Sequence, residues 1–243
     1  HLGYMDMEQG VFVNRKILYI KPDIYVIVDE MYTGGAHGYD QYWHFNERGT
    51  LALGEALPVR EPVLPGLEAA GDPDPTLHRG GKDLAFDLDH IGTEPVQTAA
   101  FTAPGVRARM YFMTPGAEGE MYTSRISRHY NRAVDRRSIR VHKEGKGFTS
   151  LMTVICAGDA LLTPEVKLTK LPVKSALKGI YYPSSMAEAL KIEVRGKEYV
   201  AVICHQEVNS PTDLVEVDGC LGFGNVIVFD KSKDVLVGTV MNY

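Results

Sequence analysis

Residues 15–45 decide the fold and read RKILYIKPDIYVIVDEMYTGGAHGYDQYWHF. The first half contains two apolar runs, 17–20 and 25–28, on either side of Lys21-Pro22-Asp23-Ile24. Proline favours the second position of a tight turn because its ring fixes the backbone angle that this position needs. The two runs are therefore predicted to pair as an antiparallel β-hairpin.

The second half of this segment alternates with a period of two. A loop is predicted at the glycines within residues 34–38, and a further strand after it. Successive side chains of a strand point to opposite faces of the sheet. The odd-numbered residues 39–45, which include the only tryptophan, are predicted to be buried. Tyr42 and His44 would then lie side by side on the other face, where they could contact a ligand or a second domain.

The composition is that of a soluble globular protein with room for a sizeable core, at 243 residues and 44% hydrophobic. A net charge of −5 argues against nucleic acid as a partner, because phosphate binding needs cationic surface. No apolar run approaches the ~20 residues of a membrane helix, and no signal peptide is readable. The three cysteines are too few for a disulfide framework, so cytoplasmic, bacterial periplasmic and secreted locations all stay open.

The remaining chain predicts an all-β protein. It begins with His1-Leu2-Gly3-Tyr4, without methionine, and is expected to be a piece of a longer polypeptide. Residues 50–83 are rich in proline and glycine and predict an irregular excursion from the sheet. Short β segments with regular turn signals follow, as in a sandwich. A serine cap and an early acid after Pro183 predict one short helix.

The predicted fold is a two-sheet antiparallel β-sandwich, of jelly-roll or super-sandwich type, with at most one short helix. The sandwich is assigned to residues 1–171, including the excursion. Residues 172–243 are predicted to form a β meander that either completes the sandwich or makes a small appended sheet.

Residues 125–146 reverse the sign of the charge, with eight lysines and arginines against two acids. Arginine forks suit carboxylate and sulfate groups, so this segment is predicted to bind an acidic polysaccharide or oligosaccharide. The alternative is a solvated surface without a ligand. The predicted contacts combine the arginines with interleaved aromatic residues: Arg125, Arg128, His129, Tyr130 and Arg132.

Three other motifs do not indicate a site by their spacing. The histidines show no zinc spacing, so no metal site is readable, while a site built from residues distant in the sequence stays open. The glycines of residues 219–224 lack a following helix and predict a turn instead of a phosphate loop. No Gly-x-Ser-x-Gly elbow is present.

One family resemblance rests on three consecutive stretches. Residues 15–29, then Gly35-Ala36-His37, then Gln41-Tyr42-Trp43-His44-Phe45 resemble the C-terminal β-sandwich of the heparinase II/III-like polysaccharide lyases. The resemblance covers residues 5–46, extends to residues 127–130 and 149–157, and fades in the final third.

This resemblance implies a sandwich preceded by an N-terminal (α/α) toroid, with a uronate-containing glycan, such as a glycosaminoglycan, cleaved by β-elimination between the two. Most residues that act on the sugar lie on the toroid in that family, so this chain is expected to be inactive without it. The family also implies a divalent metal ion, zinc or calcium, in some full-length members. The stretch that carries such ligands precedes the Arg15 strand there and is not found in this sequence.

The chemistry of β-elimination narrows the search within this chain. The reaction needs a group that stabilises the enolate, a base for the α proton and an acid for the leaving oxygen. Tyr42 and His44 are the predicted catalytic pair, with His37 as a substrate-binding residue. The alternatives are a structural role, a domain contact, or a non-catalytic carbohydrate-binding or scaffold module. Arg15 and Asp29 are predicted to pair across the hairpin as a structural contact.

Overall fold

A computed structural model describes residues 2–4, 10–54, 98–129, 132–159, 161 and 163–231. These residues contain sixteen β-strands and no helix, so the all-β prediction is confirmed. They also contain no helix that could span a membrane. They form two compact units that divide between Thr163 and Pro164.

The first unit is built from eight strands. They are β1 (Leu2–Tyr4), β2 (Val11–Ile20), β3 (Ile24–His44), β4 (Thr50–Leu53), β5 (Thr98–Ala103), β6 (Val106–Phe112), β7 (Glu118–His129) and β8 (Arg132–Asp159). All pair antiparallel in the order β1-β2-β3-β8-β6-β5-β4, and β7 also pairs with β8.

The two longest strands turn this sheet into two layers. The first half of β8 pairs with β7 and its second half pairs with β6, while β3 follows β8 along both halves. Side chains from the two halves, such as Ile139 and Leu151, belong to one hydrophobic core with Met31 and Met110. The sheet therefore folds over on itself around this core, as in a β-sandwich.

The hairpin of residues 15–29 is confirmed, because β2 and β3 pair from Ile20 opposite Ile24 onwards. The predicted loop at residues 34–38 is wrong. β3 continues through these glycines, and its pairing with β8 shifts register between Tyr32 and Ala36. Such a bulge absorbs extra residues without ending a strand, so the partner β8 overrides the local preference of glycine for a loop.

The second unit contains two four-stranded sheets. Its strands are β9 (Val166–Leu171), β10 (Val173–Ser175), β11 (Tyr181–Tyr182), β12 (Ala187–Val194), β13 (Lys197–Cys204), β14 (Val215–Val217), β15 (Cys220–Gly222) and β16 (Val226–Asp230). Their orders are β11-β10-β14-β15 and β16-β13-β12-β9. One core, which includes Val215 from the first sheet and Val200 from the second, joins the two sheets of this unit.

Two local predictions in this unit have opposite outcomes. The hairpin about Gly196 is confirmed, with Arg195 and Gly196 at φ of 51° and 71° in the turn between β12 and β13. The short helix after Pro183 is wrong. A turn closed by the Met186 N–H on the Pro183 carbonyl, at 2.8 Å, leads directly into β12. Pairing of β12 with both β13 and β9 satisfies the backbone groups that a helix would have used.

The predicted excursion lies mostly outside the described residues, and the predicted domain boundary falls between β9 and β10. β4 occupies the start of the excursion, and residues 55–97 lie outside the described residues, as do 232–243. β9, which the sequence assigned to the sandwich, pairs with β12 in the second unit. The division of the chain into a domain ending at residue 171 and one beginning at 172 stays a prediction.

Candidate functional site

The alternation predicted after Gly38 is confirmed by burial. Tyr39 and Gln41 are 8% and 2% exposed, and Trp43 and Phe45 are half-buried against the core, whereas Tyr42 is 43% exposed. Asp40 and His44 are also exposed. Tyr42 and His44 therefore share the face of β3 that points away from the hydrophobic core.

Strand pairing extends this face across β3, β8 and β7. Tyr42 lies opposite Arg140, and Arg140 lies opposite Glu120. We call the set of side chains that the register places on this side the polar outer face: Asp40, Tyr42, His44, Glu120, Tyr122, Ser124, Arg136, Ser138, Arg140 and His142.

Aromatic rings form one part of the polar outer face. The rings of Tyr42 and His44 are nearly parallel, at 8°, with centroids 6.3 Å apart. Tyr122 meets Tyr42 edge-on, at 81° and also 6.3 Å. Partial burial and the nearby charge of Asp40 raise the pKa of Tyr42, so its hydroxyl keeps its proton near neutral pH.

The imidazole ring of His44 is hydrogen-bonded to a chain of hydroxyl groups. Its Nδ1 lies 2.9 Å from Ser138 Oγ, which lies 2.6 Å from Ser124 Oγ. Arg136 Nε donates to Ser124 Oγ at 3.1 Å. Partial burial and the positive charge of Arg136 lower the pKa of His44 below 6.5. Its imidazole is therefore neutral near neutral pH.

Arg140 is neutralised within the same face. It donates to Asp40 at 2.7 Å and to Glu120 at 3.1 Å, and His142 Nδ1 lies 2.8 Å from Asp40. Burial alone would raise the pKa of Asp40, but the hydrogen bonds and charges of Arg140 and His142 outweigh burial and lower it. This ion cluster fixes the side chains beside Tyr42.

The described arginines of the cationic segment divide between two faces, because side chains along β8 alternate. Arg136 and Arg140 lie on the polar outer face, whereas Arg137 points to the other side and donates to Thr123 Oγ1 at 3.0 Å. Arg125 forms a solvent-exposed ion pair with Asp135 at 3.4 Å. Local pairing therefore reduces the positive field that the sequence predicts.

A cleft of about 300 Å³ lies where the loop after β3 meets β7 and β8. Its lining includes both Arg136 and Arg137, so one arginine borders the cleft and also holds the hydroxyl chain behind His44. The full lining is Glu47, Gly49, Thr123, Asp135, Arg136 and Arg137. Sequence reasoning missed this cleft because its loop and strands are far apart in the chain.

The other predicted binding residues are placed apart from Tyr42 and His44. His37 lies within β3, on the inward side with Tyr39, and its buried Nε2 has no hydrogen-bond partner among the described residues. Arg132 is exposed at the start of β8, opposite His129. Arg128 and His129 belong to β7, but their side chains are not described, and Tyr130 lies outside the described residues. Their roles in binding stay predictions.

The described residues do not fit a divalent metal ion. They contain no group of three or more His, Cys, Asp or Glu side chains that could hold one. On the polar outer face, Asp40 contacts His142 but also accepts a hydrogen bond from Arg140. No chemical step is therefore assigned to a metal ion.

A second charged cluster, in the second unit, was not predicted. Glu188 contacts Lys170 Nζ at 2.5 Å and His205 Nε2 at 3.0 Å, and all three side chains are at most 5% exposed. Burial would raise the pKa of Glu188, but His205 and Lys170 outweigh burial and lower it to about 2. The cluster joins residues from separate strands, and no sequence motif marks it.

Comparisons with known proteins give structural matches alone. No family model matches the chain, and no curated protein matches it. It is similar to the crystal structure of heparan sulfate lyase HepC from Pedobacter heparinus, at 12% identity and a TM-score of 0.50 over 83% of this chain. A mutant of the same lyase matches at 12% identity and a TM-score of 0.48, also over 83% of this chain.

The chain spans about a quarter of the length of these lyase structures, 25% and 27%. At this identity the likeness shows the fold and not the activity. The chain therefore has a fold similar to part of a heparan sulfate lyase.

Proposed function

We propose that this chain is the C-terminal sandwich portion of a heparinase II/III-like polysaccharide lyase, and that an acidic, uronate-containing glycan binds along its polar outer face and the Arg136–Arg137 cleft. One observation carries the proposal. A neutral imidazole, His44, stacks on an exposed tyrosine, Tyr42, beside an arginine that borders an open cleft.

These groups match what β-elimination of a uronate needs. The carboxylate of the sugar would meet the guanidinium groups of Arg136 and Arg137, which suit planar anions. Tyr42 and His44 would supply the hydrogen bonding and proton transfer at the reacting ring. The remaining catalytic groups would come from an N-terminal (α/α) toroid of the same polypeptide, so the chain alone would bind glycan without cleaving it.

A second candidate is a non-catalytic carbohydrate-binding module. It is favoured by Arg140, the arginine opposite Tyr42, which is already bound to Asp40 and Glu120. This guanidinium would have to leave two carboxylates before it could neutralise a substrate. This chain alone forms no unsaturated uronate product under either candidate, so the test is His44→Ala in the full-length polypeptide. That variant abolishes product formation only if this chain contributes to catalysis.

Replacing both cleft arginines is expected to weaken glycan binding. Each ionic hydrogen bond contributes about 1.5–3 kcal/mol, so Arg136→Gln with Arg137→Gln should raise the Kd for heparan sulfate at least roughly tenfold. The measurement is the salt concentration that elutes each protein from a heparan sulfate column, followed by titration calorimetry. Circular dichroism checks that the variants are folded.

The matched control removes two lysines from the second unit. Lys174 forms a half-exposed ion pair with Glu216, and the exposed Lys178 pairs with Asp213. Lys174→Gln with Lys178→Gln changes the net charge by the same amount and should leave the Kd within about twofold. Equal elution of the two double variants would reject the cleft as the binding site. Unsaturated product formed by this chain alone, and lost in His44→Ala, would reject the need for a toroid.

A further inference from the structure

The hydroxyl group of Ser138, which lies next to the His44 ring, has three hydrogen-bond partners. The residue is fully buried, at 0% exposure. Its Oγ lies 2.9 Å from His44 Nδ1 and 2.6 Å from Ser124 Oγ, and the Tyr122 hydroxyl bonds to it as well. A serine hydroxyl has one proton to donate and two lone pairs to accept with. Three partners therefore use its full capacity.

The direction of donation follows from the far end of this chain of hydroxyls. Arg136 Nε can only donate, and it donates to Ser124 Oγ. A hydroxyl that accepts from a cation becomes a better donor to the next group, because hydrogen bonds in a chain polarise one another. Ser124 is thus favoured as a donor to Ser138. With Ser124 as a donor, the second lone pair of Ser138 is left for the phenolic proton of Tyr122, the third group bonded to Ser138.

We propose that Ser138 donates its one proton to Nδ1 of His44 and so holds this imidazole in the tautomer that carries its proton on Nε2. Ser138 is then a positioning residue for His44. The nitrogen of His44 that does not face Ser138 becomes a hydrogen-bond donor, and it cannot accept a proton.

This tautomer gives Tyr42 and His44 different roles in β-elimination. These two roles rest on the proposed function. A neutral imidazole N–H can stabilise negative charge that develops on a carboxylate, without transferring a proton. His44 would donate from Nε2 to the carboxylate of the uronate as it becomes an enolate. Proton transfer on this chain would fall to Tyr42, whose hydroxyl is the other titratable group of the stacked pair.

The tautomer can be read directly by nitrogen-15 NMR on the full chain, without any glycan. Long-range proton–nitrogen correlations distinguish a protonated ring nitrogen from an unprotonated one, and the His44 signals are those missing from His44→Gln. At a pH where His44 is neutral, we expect a protonated Nε2 and an unprotonated Nδ1. A wild-type spectrum with the proton on Nδ1 would overturn the proposal.

Two serine variants test the cause. Ser138→Ala removes the donor to Nδ1, so the ratio of the Nε2–H to the Nδ1–H tautomer should fall roughly fivefold or more. Ser124→Ala leaves that donor in place and should change the ratio less than Ser138→Ala does. Ser138→Thr keeps a hydroxyl and should restore the wild-type ratio. An unchanged ratio in Ser138→Ala would overturn the proposal, while unchanged backbone spectra show that each variant is folded.

A titration with a heparan sulfate oligosaccharide separates this inference from the proposed function. A shift of the Nε2 resonance that is weakened in Arg137→Gln, which leaves the hydrogen bond from Arg136 to Ser124 in place, supports the role of His44 as donor to substrate. Binding that leaves Nε2 unchanged would overturn that role. Absence of binding would overturn the proposed function, whereas the tautomer assignment is decided by the spectra of the protein without glycan.

Discussion

The variant Glu188→Gln is expected to lower the free energy of unfolding of the second unit by about 3 kcal/mol near neutral pH. The carboxylate of Glu188 contacts both Lys170 and His205, with all three side chains buried. Glutamine keeps the shape but removes the negative charge that these two donors share. Removing one member of a buried ion pair costs more than removing an exposed pair, because water cannot replace the lost partner.

The same carboxylate makes the stability of this unit depend on acidity. The pKa of Glu188 is lowered in the folded state from 4.5 to about 2. The unfolded chain therefore binds a proton at higher pH than the folded chain does, so the stabilisation is complete above 4.5 and is lost as the pH falls towards 2. Glu188→Gln should remove this part of the acid dependence.

The measurement is urea unfolding of the wild type and the variant, followed by circular dichroism over a series of pH values. The matched control is Glu216→Gln, which breaks the half-exposed pair with Lys174 in the same unit. That control should lose less than about 1 kcal/mol. If Glu188→Gln and Glu216→Gln lose the same free energy, or if the wild type and Glu188→Gln show the same dependence on pH, then Glu188 does not stabilise the fold as an ion.

The variant Gln41→Ala is expected to destabilise the first unit by about 3 kcal/mol. Gln41 is 2% exposed and joins the buried Asp29 and Thr153 to the half-buried Trp43. Its amide donates to Asp29 at 2.8 Å, and its carbonyl accepts from Trp43 Nε1 at 3.0 Å and from Thr153 Oγ1 at 2.7 Å. Alanine would leave these polar groups without the amide, and each unsatisfied buried group costs about 1–3 kcal/mol.

Fluorescence of Trp43, the only tryptophan, reports this transition directly because its indole nitrogen bonds to Gln41. The matched control is Gln206→Ala, since the Gln206 amide makes an exposed contact of 3.4 Å with the Ser185 carbonyl. That control should change stability by less than about 0.5 kcal/mol. A Gln41→Ala protein as stable as the control would show that the amide network adds nothing to the core.

Sequence patterns correctly predicted the features that depend on interactions between neighbouring residues. The Pro22 turn and the apolar runs around it predicted the β2–β3 hairpin, and the pairing of Arg15 with Asp29 across it is confirmed at 2.5 Å. A period of two also placed Tyr42 and His44 together, because neighbouring side chains of a strand must alternate. These features depend on a few residues and on their immediate neighbours.

The predictions made from glycine and proline were wrong where pairing with a strand distant in the sequence determined the local structure. The glycines before Tyr39 predicted a loop, yet β8 pairs with β3 through that region and keeps it extended. The serine after Pro183 predicted a helix, yet β13 and β9 hold the following residues as a strand. Local propensity is weak compared with the backbone hydrogen bonds that a sheet offers.

The sequence by itself determined the all-β class, the hairpin and the exposed face of Tyr42 and His44, since each follows from the alternation of a strand. Only the tertiary structure decided which residues distant in the sequence contact each other. Ser138 meets His44 across 94 residues of chain, and Glu188 meets His205 across 17. Such contacts are set by strand register, which no single stretch of sequence encodes.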